Sequence, residues 1–220
     1  MQREIITTAD GSKTIQITEW NEQYHSKHGA IQEAYHVFIK YGLSLFQNQS
    51  INILEIGFGT GLNAFITFLE APKLDLNIVY RGVEAYPVSA GELSQLNYIS
   101  ELKAEDFREQ FHQMHQSSWE DLVVISAYFT LYKEQSDFKD IKGEKKYDLV
   151  YFDAFGARVQ PELWTEDIFS LMFKALKNGG TLVTYAAKGS IRRAMQKVGF
   201  EVERLPGPPG KREMLRATKP

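Results

Sequence analysis

The 220-residue chain is 43% hydrophobic and 24% charged, with a net charge of −3, which suits one α/β domain with small additions. With no cysteine and only five scattered histidines, a disulfide framework, a thiolate nucleophile and a cysteine-metal centre are excluded, and no metal is expected. Met1-Gln2-Arg3-Glu4-Ile5 lacks the apolar core of a signal peptide, and no run approaches the roughly 18 apolar residues of a membrane span, so a cytoplasmic protein without a membrane partner is expected.

Residues 4–18 alternate around Asp10-Gly11, a hairpin signal that pairs Glu4–Thr8 with Thr14–Thr18. Tyr24 to Phe38 then runs into a helix ending near Phe46 or Gln47, with Ile31, Tyr35, Phe38, Ile39, Leu43 and Phe46 at helical spacing. Tyr24, Glu33 and His36 are the polar exceptions, either satisfied groups at a helix start or part of a site. These residues, 1–47, read as an extension in front of a second unit, 48–220.

That unit is organised around Ile51-Asn-Ile-Leu-Glu55-Ile-Gly57-Phe58-Gly59-Thr60-Gly61-Leu-Asn63. A β-branched strand ends in three alternate glycines before an apolar-periodic helix, so the backbone is free to approach a ligand at a helix N-terminus. A dinucleotide turn reads G-x-G-x-x-G; here the spacing is E-x-G-x-G-x-G. An anion at Glu55 would repel a pyrophosphate but could hold an ammonium. Val79 to Glu84 reads as the next strand, and Glu84 follows Gly61 by 23 residues, where an acid accepts hydrogen bonds from ribose hydroxyls.

Ala90 to Gln116 is polar and helix-permissive, covering the outside of the sheet. Leu122–Ser126, Ala127–Tyr132 and Tyr147–Phe152 are strands, the last ending in Asp153. A helix from Trp164-Thr165 should stop at Asn178-Gly179-Gly180. The strand Thr181–Tyr185, the basic helix Ser190–Val198 and two strands, Phe200–Leu205 and Met214–Ala217, complete the chain. Alternation demands a mostly parallel sheet covered on both faces, and the short last connection makes the final pair an antiparallel hairpin. Lys188 to Pro220 holds nine basic residues against three acids, a face suited to phosphates or simply a solvated surface.

The glycine loop resembles motif I of the Rossmann-like S-adenosylmethionine-dependent methyltransferases. More specifically, Asp153-Ala-Phe155-Gly156, Gln160-Pro161-Glu162-Leu163-Trp164-Thr165, Gly179-Gly180-Thr181-Leu182, Arg192-Arg193, Gly199-Phe200-Glu201-Val202 and Lys211-Arg212-Glu213-Met214-Leu215 resemble the MnmC-like methyltransferases of tRNA 5-methylaminomethyl-2-thiouridine synthesis. The resemblance implies a mostly parallel seven-stranded sheet with a C-terminal antiparallel hairpin and a small N-terminal hairpin. It implies S-adenosyl-L-methionine as cofactor, contacted by Tyr24, Glu55, Gly57, Phe58, Gly59, Thr60, Gly61, Asn63, Glu84 and Asp153.

Asp153 is the candidate acceptor or base, with Phe155 beside it on the reacting base. Trp164, Lys188, Arg192, Arg193, Lys211, Arg212 and Glu213 are candidates for meeting tRNA. The family's G-D after the third strand is missing; Gln135, or Asp137 after a shift, would take its place at the adenine amine. No flavin fingerprint follows, which implies a separate flavin-dependent oxidase acting upstream. The reaction implied is N-methylation of 5-aminomethyl-2-thiouridine at the tRNA wobble position. A methyltransferase of another substrate and an inactive tRNA-binding module remain as alternatives, whereas the glycine spacing speaks against a nicotinamide oxidoreductase.

Overall fold

The computed structural model describes residues 2–220. Strands β1 (Arg3–Thr7), β2 (Lys13–Ile17) and β3 (Glu22–Gln23) form a small antiparallel sheet. Its first turn closes through Thr8 N–H to the Ser12 carbonyl at 2.8 Å, with Asp10 accepting from the Ser12 N–H and Gly11 at φ +87°. The expected hairpin is therefore present one residue earlier at each end, and β3 is an addition to it. Helix α1 (Ala30–Ala34) widens into π-type turns over Tyr35–Lys40 and closes with a 3₁₀ turn at Leu43–Leu45, so the long helix expected here is irregular.

The main sheet uses β4 (Gln49–Ile56), then α2 (Leu62–Glu70), β5 (Leu76–Glu84), the short α3 (Ala90–Leu93) and α4 (Tyr98–Glu101), and α5 (Arg108–Gln116). There follow β6 (Leu122–Ser126), β7 (Phe129–Gln135), β8 (Tyr147–Phe152), α6 (Glu166–Ala175), β9 (Leu176–Thr184), α7 (Gly189–Val198), β10 (Glu201–Pro206) and β11 (Glu213–Thr218). The order is β10-β11-β9-β8-β4-β5-β7-β6, one strand more than the seven expected. The extra strand is the edge: β6 folds back antiparallel on β7, because Ala127 and Tyr128 make a turn between them. The five central strands are parallel, and β10 and β11 form the expected antiparallel hairpin.

Alternation along each strand sorts the core into two layers. Ile51, Ile53, Ile78 and Tyr80 pack under α2 and α5, whereas Leu54, Ile56, Val150 and Phe152 pack under α6 and α7. Leu54 is fully buried, and truncating such a residue to alanine destabilises by about 2–5 kcal/mol. One expectation fails here. Helix α6 stops at Ala175, and Asn178-Gly179-Gly180 lies inside β9, where the pairing with β8 shifts register. Gly179, at φ +77°, donates to the Lys219 carbonyl, so the glycines serve a bulge rather than a helix end. The chain runs from β4 outward to β5 and β7 on one side and to β8 and β9 on the other, which makes the carboxyl ends of β4 and β8 the switch point where α/β sheets open a crevice.

Candidate active site

At that switch point Gly57, Gly59 and Gly61 have φ of +91°, +50° and +70°. A Cβ at Gly57 would lie 2.7 Å from the Asp153 carbonyl oxygen, and one at Gly61 would lie 2.8 Å from the His115 ring. The glycines are thus required by backbone sign and by space together. The Gly59 N–H donates to Glu84 Oε2 at 3.0 Å and the Tyr86 N–H to Oε1 at 2.9 Å. Burial raises the Glu84 carboxyl above its ordinary value, and these two donors oppose the shift. Each oxygen keeps a lone pair for the cavity of about 430 Å³ that Gly57, Gly59 and Glu84 line.

Behind the loop, the Asn63 side-chain amide donates both to Glu55 Oε1 at 2.9 Å and to Asp153 Oδ2 at 2.8 Å. One NH₂ group therefore joins two carboxylates. Burial pushes both acids well above the usual carboxylate range. The Asn63 bond opposes the shift at each, while the Asp153 charge adds to it at Glu55 and the Glu33 charge at Asp153. Glu55 Oε2 and Asn63 Oδ1 are buried without partners. Asp153 lines the cavity, whereas Glu55 is fully buried behind it.

The other half of the cavity is walled by the N-terminal extension, the segment after β8 and the β10–β11 loop. Tyr24 and Trp20 set their rings edge-on to Phe155 at 5.0 and 5.6 Å. Arg3 lies 5.6 Å over the Tyr24 ring and donates to the Tyr86 carbonyl, which ties β1 to the Glu84 strand end. Lys211 Nζ donates to Glu33 Oε2 at 2.6 Å and stands 3.8 Å above the Tyr185 ring, whose hydroxyl donates to the Ala154 carbonyl.

The structure thus gathers Tyr24, Gly57, Phe58, Gly59, Glu84, Asp153, Phe155 and Lys211 around one cavity. It does not bring the remaining candidates there. Thr60, Gly61 and Asn63 are packed behind the loop with Glu55. Gln135 is exposed and its N–H is taken by Glu120; Asp137 and Phe138 line the cavity end instead. Trp164 packs against Phe152 and Phe169 and holds the Phe155 carbonyl through its indole N–H at 2.8 Å, so it supports the wall from the core.

Lys188, Arg193 and Arg212 are exposed outside the cavity, Arg192 is half-buried, and Glu213 faces Arg204. Part of the basic C-terminal face is consumed. Lys197, Arg204 and Arg216 pair with Glu166, Glu213 and Glu203, and Lys219 is buried with its ammonium on the Phe173 and Leu176 carbonyls. Sequence reasoning missed Trp20, Glu22, Phe138 and Tyr185, which carry no motif and meet the cavity only through the fold. Glu33 alone was signalled, as an acid on an apolar helix.

Among the described residues no helix is long and apolar enough to cross a membrane. A profile of the S-adenosyl-L-methionine-dependent methyltransferases matches residues 95–220. The chain belongs to this methyltransferase family. The tRNA 5-methylaminomethyl-2-thiouridine biosynthesis bifunctional protein MnmC of Idiomarina loihiensis is 29% identical over 216 residues, covering 90% of this chain and 36% of that protein. Its namesake in Leptospira borgpetersenii is 32% identical over 215 residues, covering 89% and 32%. The chain therefore spans about a third of these relatives.

The crystal structure of MNMC2 from Aquifex aeolicus superposes with a TM-score of 0.80 at 26% identity, covering all of this methyltransferase and 71% of that chain. Spermidine synthase from Thermotoga maritima shares the fold, with a TM-score of 0.60 at 11% identity over 99% of this chain and 68% of that one. The cavity suits the family's cofactor. Its glycine floor admits close approach, and the acids Glu84 and Asp153 that line it favour a cationic sulfonium and ammonium over a diphosphate.

Proposed function

We propose that this methyltransferase transfers a methyl group to the primary amine of 5-aminomethyl-2-thiouridine at the wobble position of tRNA. The single observation that carries the reading is a continuous cavity joining the glycine floor and Glu84 to an aromatic, acidic chamber around Asp153 and Phe155. Relatives named for that tRNA modification match along about nine-tenths of the chain. In this assignment Gly57, Gly59 and Glu84 hold the cofactor, with Asp137 and Phe138 at its adenine end. When bound, the cofactor supplies an electrophilic methyl group on sulfur.

The chain's own contribution is alignment and proton handling. Only a neutral amine is nucleophilic, and an amine of lysine-like pKa is about one part in a thousand free at pH 7. Asp153 accepts a hydrogen bond from the incoming ammonium and takes its proton toward solvent. Phe155, Tyr24 and Trp20 hold the base edge-on and keep water out. Exposed Lys188, Arg193 and Arg212, with half-buried Arg192, meet tRNA phosphates, and a flavin-dependent oxidase acts upstream to furnish the amine.

The test is incorporation of labelled methyl from S-adenosyl-L-methionine into tRNA carrying the aminomethyl group, followed by nucleoside analysis. Label in 5-methylaminomethyl-2-thiouridine is expected. Label in a protein or small molecule, with none in that tRNA, would replace tRNA by another substrate; tRNA binding without any label would make the chain a binding module.

A further inference from the structure

Three features of the substrate half coincide at one point. Glu33 is buried to 8% side-chain exposure, on α1. Tyr185, at the end of β9, offers a ring face held in place by its hydroxyl bond to the Ala154 carbonyl. Against both stands the ammonium of Lys211, 2.6 Å from the Glu33 carboxylate and 3.8 Å from the ring centroid. A buried carboxylate beside an aromatic face is the chemistry that recognises a primary ammonium. Here a primary ammonium already occupies it.

We infer that Glu33 and the Tyr185 face form the subsite for the substrate's ammonium group, and that Lys211 fills this subsite as an internal stand-in which the substrate displaces. The inference rests on the proposed aminomethyl substrate. Glu33, Tyr185 and Lys211 all line the same cavity as Asp153. Glu33 and Lys211 lie close enough to act on the Asp153 carboxyl in opposite directions, Glu33 raising its pKa and Lys211 lowering it. An ammonium seated on Glu33 therefore shares the cavity with the Asp153 carboxyl.

Vacating the subsite by Lys211 alone would leave the buried carboxylate without a counter-charge, held only by the Ser26 N–H at 3.0 Å, a costly arrangement. Exchange of one ammonium for another keeps it paired throughout. Lys211 has somewhere to go: its side chain is 32% exposed and it sits in the β10–β11 loop beside Arg212, an exposed cation. Moved outward, it would add a positive charge at the rim where a phosphate chain lies.

The stand-in competes with the substrate, so removing it should tighten binding of the isolated nucleoside. The probes are 5-aminomethyluridine and 5-methyluridine, titrated calorimetrically with S-adenosylhomocysteine present. Lys211→Met is expected to bind 5-aminomethyluridine about tenfold more tightly than the wild type. Glu33→Gln in that background should abolish the gain, and 5-methyluridine should bind all forms alike. Thermal melting of each variant checks that it is folded.

No gain in Lys211→Met, or a gain that survives in the double variant, overturns the inference. A gain of equal size for 5-methyluridine also overturns it, because cavity space rather than charge would then be responsible. Failure of the underlying reading looks different: the nucleoside pattern would hold while aminomethylated tRNA received no methyl group.

Discussion

The two halves of the cavity are built by different means. The cofactor half comes from one contiguous stretch, Ile51 to Asn63, completed by Glu84 at the end of the adjacent strand, and its geometry follows from three positive φ values and a parallel register. The substrate half is assembled from residues far apart in sequence, with Glu33 and Lys211 separated by 178 positions and Arg158 donating to Glu22 and to the Trp20 carbonyl across 136 and 138. Backbone geometry makes the first, and side chains from four separate segments make the second. A floor of main chain can hold a common cofactor, while a wall of side chains can be retuned for a substrate.

Asp153 lies on the seam, and its removal should be the most damaging single change. Asp153→Ala is expected to lower the methyl-transfer rate by about 10³-fold, within the range for loss of a positioned acid–base group, while calorimetry still detects weakened cofactor binding. Full activity would remove Asp153 from the reaction. Gly57→Ala probes the cofactor half alone. Its φ of +91° and the 2.7 Å approach to the Asp153 carbonyl predict a strain of about 1–3 kcal/mol and at least a tenfold loss of cofactor affinity, with tRNA affinity retained. Equal losses of both ligands would show that the halves are not separable.

The difference in construction explains what could be read in the sequence. The glycine loop, Glu84, Asp153 and the strand order were legible because strand, turn and helix signals are local and because parallel register then fixes which strand ends meet. Gln135 was misplaced for the same reason in reverse. Numbered from the strand it looks like an end residue, but it pairs with Glu84 on β5 and points to solvent, and the chain reaches the cavity two residues later at Asp137. Trp164 sits in a distinctive motif, yet its ring belongs to the core. The basic count over Lys188–Pro220 overstated the unpaired charge, because charge along the chain says nothing of pairing across a hairpin, where Arg216 meets Glu203. Tyr185 had no signal at all.

Acid should loosen the substrate half selectively. His25, on the extension, is buried with its Nδ1 3.0 Å from the Thr14 hydroxyl oxygen, and burial pushes its pKa down to about 4 from 6.5. The unfolded chain binds the proton more tightly, so the stability His25 contributes is present above about pH 6.5 and is lost as pH falls through about 4. At pH 5 this amounts to about 2 kcal/mol. Glu55 and Asp153, with raised values, act in the opposite sense, but equally in wild type and variant. Thermal melts of His25→Gln and wild type should therefore converge as pH falls from 7 to 5; parallel curves would remove His25 as the cause.

Asn63→Ala addresses the tie between the halves. Loss of the one amide that opposes the upward shift at both Glu55 and Asp153 should move the acid limb of the rate profile to higher pH and lower the rate at pH 7 about tenfold. Glu55→Gln in the same background should move that limb part of the way back, since it removes the neighbouring charge. A limb that stays in place in both variants would leave Asn63 with a packing role only.

The smallest effects belong to the rim, where the two halves give way to surface. Lys188 and Arg193 are exposed, whereas Lys197 pairs with Glu166 at 2.7 Å. If tRNA phosphates lie over the start of α7, Lys188→Glu and Arg193→Glu should each reduce the salt slope of tRNA binding by about one unit. Lys197→Glu, which breaks an exposed pair worth under about 1 kcal/mol, should leave the slope unchanged. The slope matters more than the affinity because counterion release counts contacts, whereas a fall in affinity alone could come from altered folding. Equal slopes in all three variants would move the phosphate path off α7 and toward the β10–β11 loop, where Arg212 is exposed and Lys211 would emerge once its ammonium left Glu33.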